Sequence, residues 1–299
     1  MELFSPLYYE KFRCIADRCR HSCCVGWEIS VDGDTLAKYR RFGREDILKH
    51  LSVDGDFCEI NLREDGRCPF LDERGLCEII SGLGDDYTSE ICREHPRFYH
   101  RIGDVCEVGL GAVCEEAARL ILTENDFSAI RPLGDYRKTA ADETDFDTLS
   151  HRAEIYARLS DVELSYRERV WEIAEKYGVS ERLREDFSEA FSELEYLEEE
   201  NLRLFEVGGE ERRPWVQEYA LRFFAYLIFR HASISTDEVN LRARVGFCLL
   251  LLGMLENATA KNEALTDEDV FDLVRRISSE IEYSEENTSL LIFEFESAL

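Results

Sequence analysis

Ten of the eleven cysteines in this 299-residue chain fall within its first 114 residues, and any fold for that stretch has to accommodate them. They run Cys14, Cys19, Cys23, Cys24, then Cys58, Cys68, Cys77, Cys92, Cys106 and Cys114, with Cys248 alone beyond. Thiolates are soft ligands, and thiols crowded at short spacings suit zinc or an iron–sulfur centre. The first four follow Cys14-x4-Cys19-x3-Cys23-Cys24, close enough for several sulfurs to converge from one turn or short helix. In CPFLDERGLC, Asp72–Gly75 has turn composition between two short apolar arms, which predicts a hairpin or knuckle bringing Cys68 and Cys77 near each other. Pro96 in CREHPRF stops a helix short of it. Cys114 opens CEEAARLIL, a helix start with Glu115 and Glu116 in the first turn, where a thiol has a lowered pKa.

How these thiols are read depends on the compartment. Met1 to Tyr9 lacks the basic residues and long apolar run of a secretory signal. The longest apolar stretch, Val245 to Leu255, is interrupted by Gly246 and Gly253 and falls short of the roughly 20 residues a membrane span needs. Both features place the protein in the cytoplasm, where disulfides are disfavoured and cysteines point to metal or redox chemistry. The net charge of −28 repels nucleic-acid phosphates and anionic membranes and attracts basic protein surfaces, although it also serves solubility alone. Neither nucleic acid nor membrane is therefore an expected partner.

The rest of the chain is helical in pattern. Asp34 to Lys49 carries one apolar side, Phe57 to Leu62 fits a short strand, and residues 127–146, with Pro132 and Gly134, read as a linker. Leu183, Phe187, Phe191 and Leu194 follow the helical period, as do Val216, Tyr219, Phe223 and Leu227. Val245–Leu255 is apolar on nearly all sides and reads as a buried helix, with Cys248 as packing, and Thr266 caps a further helix. The segment VGLGAV at 108–113 is half of a dinucleotide fingerprint, without the third glycine and without a clear strand–helix unit around it. The expectation is a mainly-α protein: a cysteine-rich metal-binding N-terminal region with short hairpins over residues 1–125, then a helical domain over residues 126–299.

The spaced cysteines, VGWEI after Cys24, and the CPFLDERGLC, CREHPRF and CEEAARLIL segments resemble the flagellin lysine-N-methylase (FliB) family over roughly the first 125 residues. The central part also resembles a wider group of zinc- or iron-chelating cysteine-cluster proteins. The resemblance implies methyl transfer from S-adenosylmethionine to lysine ε-amines of flagellin or another lysine-rich protein, with a [4Fe-4S] cluster required. Its pattern positions, and so the implied metal ligands, are Cys14, Cys19, Cys23, Cys24, Cys68, Cys77, Cys92 and Cys114, which leaves Cys58 and Cys106 as spare thiols. Eight exceed the four that one cluster uses. Zinc is the alternative ion, and a non-enzymatic metal-binding or metal-delivery module the alternative function. Methylation needs a neutral, aligned amine in a dry pocket, and a tyrosine can take or orient its proton. Tyr8, Tyr9 and Tyr99, near cysteines in sequence, are the catalytic candidates, with Trp27 and Tyr87 as further aromatics.

Overall fold

The structure, a computed structural model, describes residues 1–136, 142–197, 214–260 and 264–299. Two compact units emerge from one chain: residues 13–97, and residues 1–12 together with 98–299.

After strand β1 (Glu2–Pro6), which belongs to the larger unit, the smaller unit is built from short elements. They are α1 (Gly33–Arg41), α2 (Glu45–Leu48), β2 (Leu51–Asp54), β3 (Phe57–Ile60), α3 (Glu78–Leu83) and α4 (Glu90–Glu94). The apolar side expected over Asp34–Lys49 is present but divided, because the chain turns at Gly43 with φ +62°, a conformation that favours glycine. Strands β2 and β3 pair antiparallel across Gly55. Their inner side and α1 bury Ile29, Val31, Leu36, Tyr39, Ile47 and Cys58 in a separate small core.

The larger unit continues with β4 (Arg97–Ile102), β5 (Val105–Leu110), α5 (Glu115–Thr123), β6 (Ile130–Asp135) and β7 (Asp142–Thr144). Its helices are α6 (Thr148–Leu159), α7 (Tyr166–Lys176), α8 (Ser188–Glu193), α9 (Pro214–Arg230), α10 (Glu238–Ala260), α11 (Asp267–Ile277) and α12 (Glu285–Glu296). The core is helical: α9 and α10 bury Phe223, Phe224, Leu227, Phe247 and Leu251, and α12 lays Phe295 against them. Helix α10 contains the whole Val245–Leu255 run and buries Cys248, and α11 starts with a capping box between Thr266 and Asp269. No helix among the described residues is long and apolar enough to cross a membrane.

The expected fold class needs correction. The five strands of the larger unit form one mixed sheet in the order β6-β1-β5-β4-β7, with β1 parallel to β5, antiparallel to β6, and β4 parallel to β7. The chain is therefore not a mainly-α protein whose only strands are short N-terminal hairpins. Residues expected to form a linker supply β6 and β7, although residues 137–141 of that stretch lie outside the described set. Pro132 and Gly134 suggested a loop, yet β6 is an edge strand, where a missing N–H donor is tolerated, and β1 shifts register opposite them between Leu3 and Phe4. The expected metal-binding character of the N-terminal region is also absent as placed: among the described residues no group of three or more His, Cys, Asp or Glu side chains is gathered to hold an ion.

Candidate functional site

The thiols of the smaller unit are positioned by backbone pairing. The chain at Cys24–Gly26 runs antiparallel to Gly66–Cys68, held by Cys68 N–H to Cys24 O at 2.8 Å, a bridge between Val25 and Arg67, and Gly26 N–H to Gly66 O at 2.9 Å. The Asp72–Gly75 turn forms as its composition predicts, with Leu76 N–H donating to Asp72 Oδ1 at 2.8 Å and Leu71 bridging to Cys77. That places Cys77 as the residue before α3. Cys92 sits in α4, which ends at Glu94 ahead of Pro96, and its sulfur accepts from Ser89 Oγ at 3.2 Å.

Cys24, Cys68, Cys77 and Cys92 thus come within each other's electrostatic reach. Burial pushes the Cys68 thiol up to about 12, and its neighbours Cys24, Cys77 and Cys92 push the same way. Cys77 and Cys92 are also raised, first by burial of the sulfur and then by the surrounding thiols, even though Cys92 as a residue is exposed. Cys24 behaves oppositely. A hydrogen bond from Cys23, against the cost of burial and aided by Ser22 and the Arg67 charge, lowers it to about 7. One thiolate among three protonated thiols is a donor set of the right chemistry for a soft metal, but the sulfurs are not closed around a common point.

The other pattern cysteines fall elsewhere. Cys14 and Cys23 are exposed, Cys19 is half-buried with its sulfur 3.3 Å from His21 O, and Cys114 caps α5 in the larger unit without a side-chain capping bond. Cys58 and Cys106 are buried on strands β3 and β5.

Asp32, a residue the sequence analysis passed over, fixes the approach to Cys92. One carboxylate oxygen accepts from Thr35 N–H at 2.9 Å to cap α1, and the other accepts from Glu90 N–H at 2.8 Å at the start of α4. Burial opposes this charge, but the two backbone donors outweigh it and hold the carboxyl below its usual range. Tyr39 Oη reinforces the same approach by donating to Tyr87 O at 2.5 Å. The available signal was an aspartate directly before an apolar-periodic stretch.

The tyrosine candidates lie in the larger unit. Tyr9 is half-buried against the helical core, and Tyr99 stacks on Tyr136 with centroids 5.2 Å apart. Tyr8 is 4% exposed, and its hydroxyl has no hydrogen-bond partner among the described residues. Burial pushes its pKa well up, followed by the fields of Tyr156 and Tyr226, so it is a neutral hydroxyl rather than a base.

Within that hydroxyl's field lies a buried polar centre. Glu282, its side chain fully buried, accepts from His231 Nε2 at 2.7 Å and Tyr226 Oη at 3.0 Å, and Arg230 Nε lies 3.5 Å away. Tyr226 Oη in turn accepts from Ala112 N–H at 2.9 Å and Arg230 Nη1 at 3.0 Å. Burial raises the Glu282 carboxyl, but Arg230 and the His231 hydrogen bond outweigh it and leave the group ionised, while burial keeps His231 neutral. His231 therefore carries its proton on Nε2. The strand–turn–helix unit absent from the sequence analysis exists here, as β5 leading into α5, yet its glycines serve packing. A methyl group on Gly109 would collide with the Phe98 ring and lie 2.9 Å from Phe229, and one on Gly111 would lie 2.7 Å from Arg230 and collide with Tyr283.

No protein-family profile matches the chain, and no solved structure does. Among curated proteins, the chain is 31% identical over 134 residues to proteins named Lysine-N-methylase in Salmonella typhimurium (strain LT2) and Salmonella choleraesuis (strain SC-B67), covering 42% of this chain and 33% of each relative. The chain thus spans about a third of the length of those two relatives. It is 30% identical, over the same share of this chain and 79% of the relative, to the Flagellar biosynthetic protein FliU of Salmonella muenchen. On that coverage the chain belongs to the FliB-like lysine-N-methylase family.

Proposed function

We propose that the chain is a protein-lysine methyltransferase that moves a methyl group from S-adenosylmethionine to the ε-amine of lysines on a flagellar protein, flagellin in the simplest case. The observation that carries this reading is membership of a family whose relatives are named for lysine methylation and flagellar biosynthesis. In such a transfer the amine lone pair forms the new N–C bond as the S–C bond breaks, the sulfonium becomes a thioether, and the amine gives up one proton. The lysine must therefore arrive neutral and be held in line, away from water. Of the three tyrosine candidates, Tyr8 would orient an amine through its neutral hydroxyl, while Tyr9 and Tyr99 would offer partly accessible phenols.

The same reading assigns a [4Fe-4S] cluster to the cysteines, with Cys24, Cys68, Cys77 and Cys92 as the set whose chemistry fits. Cys14, Cys19, Cys23 and Cys114 are the further thiols of the pattern. Closing these sulfurs on a metal requires their deprotonation, which Cys24 is already near. Bound there, the cluster would supply a redox-active iron centre. Acid-labile sulfide and iron with a visible absorption band in anaerobically purified protein are expected; colourless protein holding stoichiometric zinc would overturn the cluster assignment. For the activity itself, labelled S-adenosylmethionine and purified flagellin are the assay. Methyl-lysine in the digested substrate is expected, and no transfer with cofactors and substrate intact would refute it.

A further inference from the structure

Arginine carries almost all of the positive charge in this chain, which holds 30 arginines and six lysines. The two are not equivalent to a reaction that needs an amine lone pair. A guanidinium stays protonated at any physiological pH and has no ε-amine, whereas a lysine ammonium that loses its proton exposes a nucleophilic nitrogen. A surface made basic with arginine therefore gives a lysine-directed methyl donor little to act on.

Three of the lysines that remain are held. Lys11 Nζ meets Glu124 Oε2 at 2.5 Å, and that carboxylate side chain is only 7% exposed. Lys38 Nζ donates to Asp86 O at 2.8 Å, and Lys176 pairs with Glu154 and lies 5.7 Å from the Tyr177 ring centroid. Each contact favours the charged ammonium and so opposes the neutral amine that transfer requires. Lys138 and Lys261 lie outside the described residues. Lys49 differs: it is exposed, and among the described residues its ammonium has no hydrogen-bond or ion-pair partner. Its backbone is fixed all the same, since its N–H donates to Glu45 O at 3.2 Å and closes α2, which buries Ile47, while Arg44 takes the nearby Asp46.

We propose that this methyl transfer selects lysines by how free the ε-amine is rather than by the surrounding sequence, and that the chain in consequence methylates its own Lys49. The inference rests on the protein-lysine reading and deepens it by naming the substrate class: an exposed lysine that no carboxylate or carbonyl holds. At Lys49 the Nζ lone pair forms the N–C bond as the sulfonium S–C bond breaks. S-adenosylmethionine leaves as the thioether S-adenosylhomocysteine, and one proton passes from the nitrogen to solvent. The arginine bias and the held lysines shield the rest of the described surface from the same reaction.

The experiment incubates the full chain with labelled S-adenosylmethionine and no other protein, beside a sample that also contains flagellin, and maps the label by peptide mass spectrometry. Label on Lys49 ahead of Lys11, Lys38 and Lys176 is expected, and Lys49→Arg should remove it while flagellin is methylated at the wild-type rate. Glu154→Ala, which frees Lys176 at an exposed site, should raise the label on Lys176 roughly two- to fivefold. Methylated flagellin with Lys49 unlabelled, equal label on held and free lysines, or Lys176 unmoved by Glu154→Ala overturns selection by a free amine and leaves the methyltransferase reading standing. No label on either protein, with cofactors intact, refutes that reading and this inference with it.

Discussion

Glu282→Gln tests whether the buried polar centre holds the larger unit together. The substitution keeps size and one acceptor oxygen but removes the charge that faces Arg230 Nε at 3.5 Å and accepts hydrogen bonds from His231 and Tyr226 at 2.7 and 3.0 Å. Arg230 cannot recover its counter-charge from solvent, since it packs over Phe98 at 4.9 Å and Tyr283 at 4.5 Å. Removing one partner of a buried pair costs about 3–5 kcal/mol. For a unit of this size each kcal/mol lowers Tm by roughly 2–4 °C, so a fall on the order of 10 °C is expected in circular-dichroism melts at pH 7. The pH dependence follows from the direction of the shift. The folded carboxyl titrates below its unfolded value of about 4.3, so its contribution is complete above that pH and is lost as pH falls through the folded pKa. On the carboxyl alone the gap between wild type and variant should hold from neutral pH to about 4.3 and close below it. His231, neutral when folded, titrates in the same direction from about pH 6.5 downward, and because Glu282 is one of the groups that hold its pKa up, the variant loses stability over a wider acid range than wild type and the gap widens before it closes. Arg230→Met combined with Glu282→Gln should cost less than the sum of the two single changes, because no charge is then left unpaired. A variant melting within 2 °C of wild type, or strict additivity in the pair, would refute the reasoning about this centre.

Tyr8→Phe removes a buried hydroxyl that has no partner among the described residues, and stability should stay level or rise by about 1 kcal/mol in urea melts; a loss above that would mean the hydroxyl is satisfied. Its effect on methyl transfer separates an orienting hydroxyl from a packing ring. In α10, Gly246→Ala should destabilise by about 1–3 kcal/mol through collision with Phe295, while Gly253→Ala should stabilise by about 0.5–1 kcal/mol, and thermal melts of the two variants should move in opposite directions. Asp32→Ala removes two helix-start acceptors at once and should cost the smaller unit about 1–3 kcal/mol, read as faster hydrogen exchange over residues 85–94 than elsewhere. Unchanged exchange there would disconnect Asp32 from the placement of Cys92.

Local chemistry was legible wherever a short stretch of sequence decides the outcome. The capped start of α11, the acidic start of α5, the turn between Cys68 and Cys77 and the stop ahead of Pro96 all follow from a few adjacent residues. The sheet was not legible, because its strands do not advertise themselves. Arg97, Tyr99 and Arg101 alternate with Phe98, His100 and Ile102 in β4, but Tyr99 drew attention as a catalytic candidate and the period of two went unread. Edge strand β6 carries the two residues most associated with turns.

The polar centre was invisible for a different reason. Ala112, Tyr226, Arg230, His231 and Glu282 come from distant parts of the chain, and none stands out among its neighbours. The cysteines show the converse: conspicuous in sequence, they divide by location, with four sharing one electrostatic neighbourhood in the smaller unit and Cys114 belonging to the larger one. A soft metal bound by that foursome has to draw three raised thiols down to thiolates. Binding would then release about three protons at neutral pH, with Cys24 contributing only part of one. Proton release measured in weakly buffered solution during metal loading would therefore count the protonated thiols engaged. A release near zero would mean that Cys68, Cys77 and Cys92 are not the ligands.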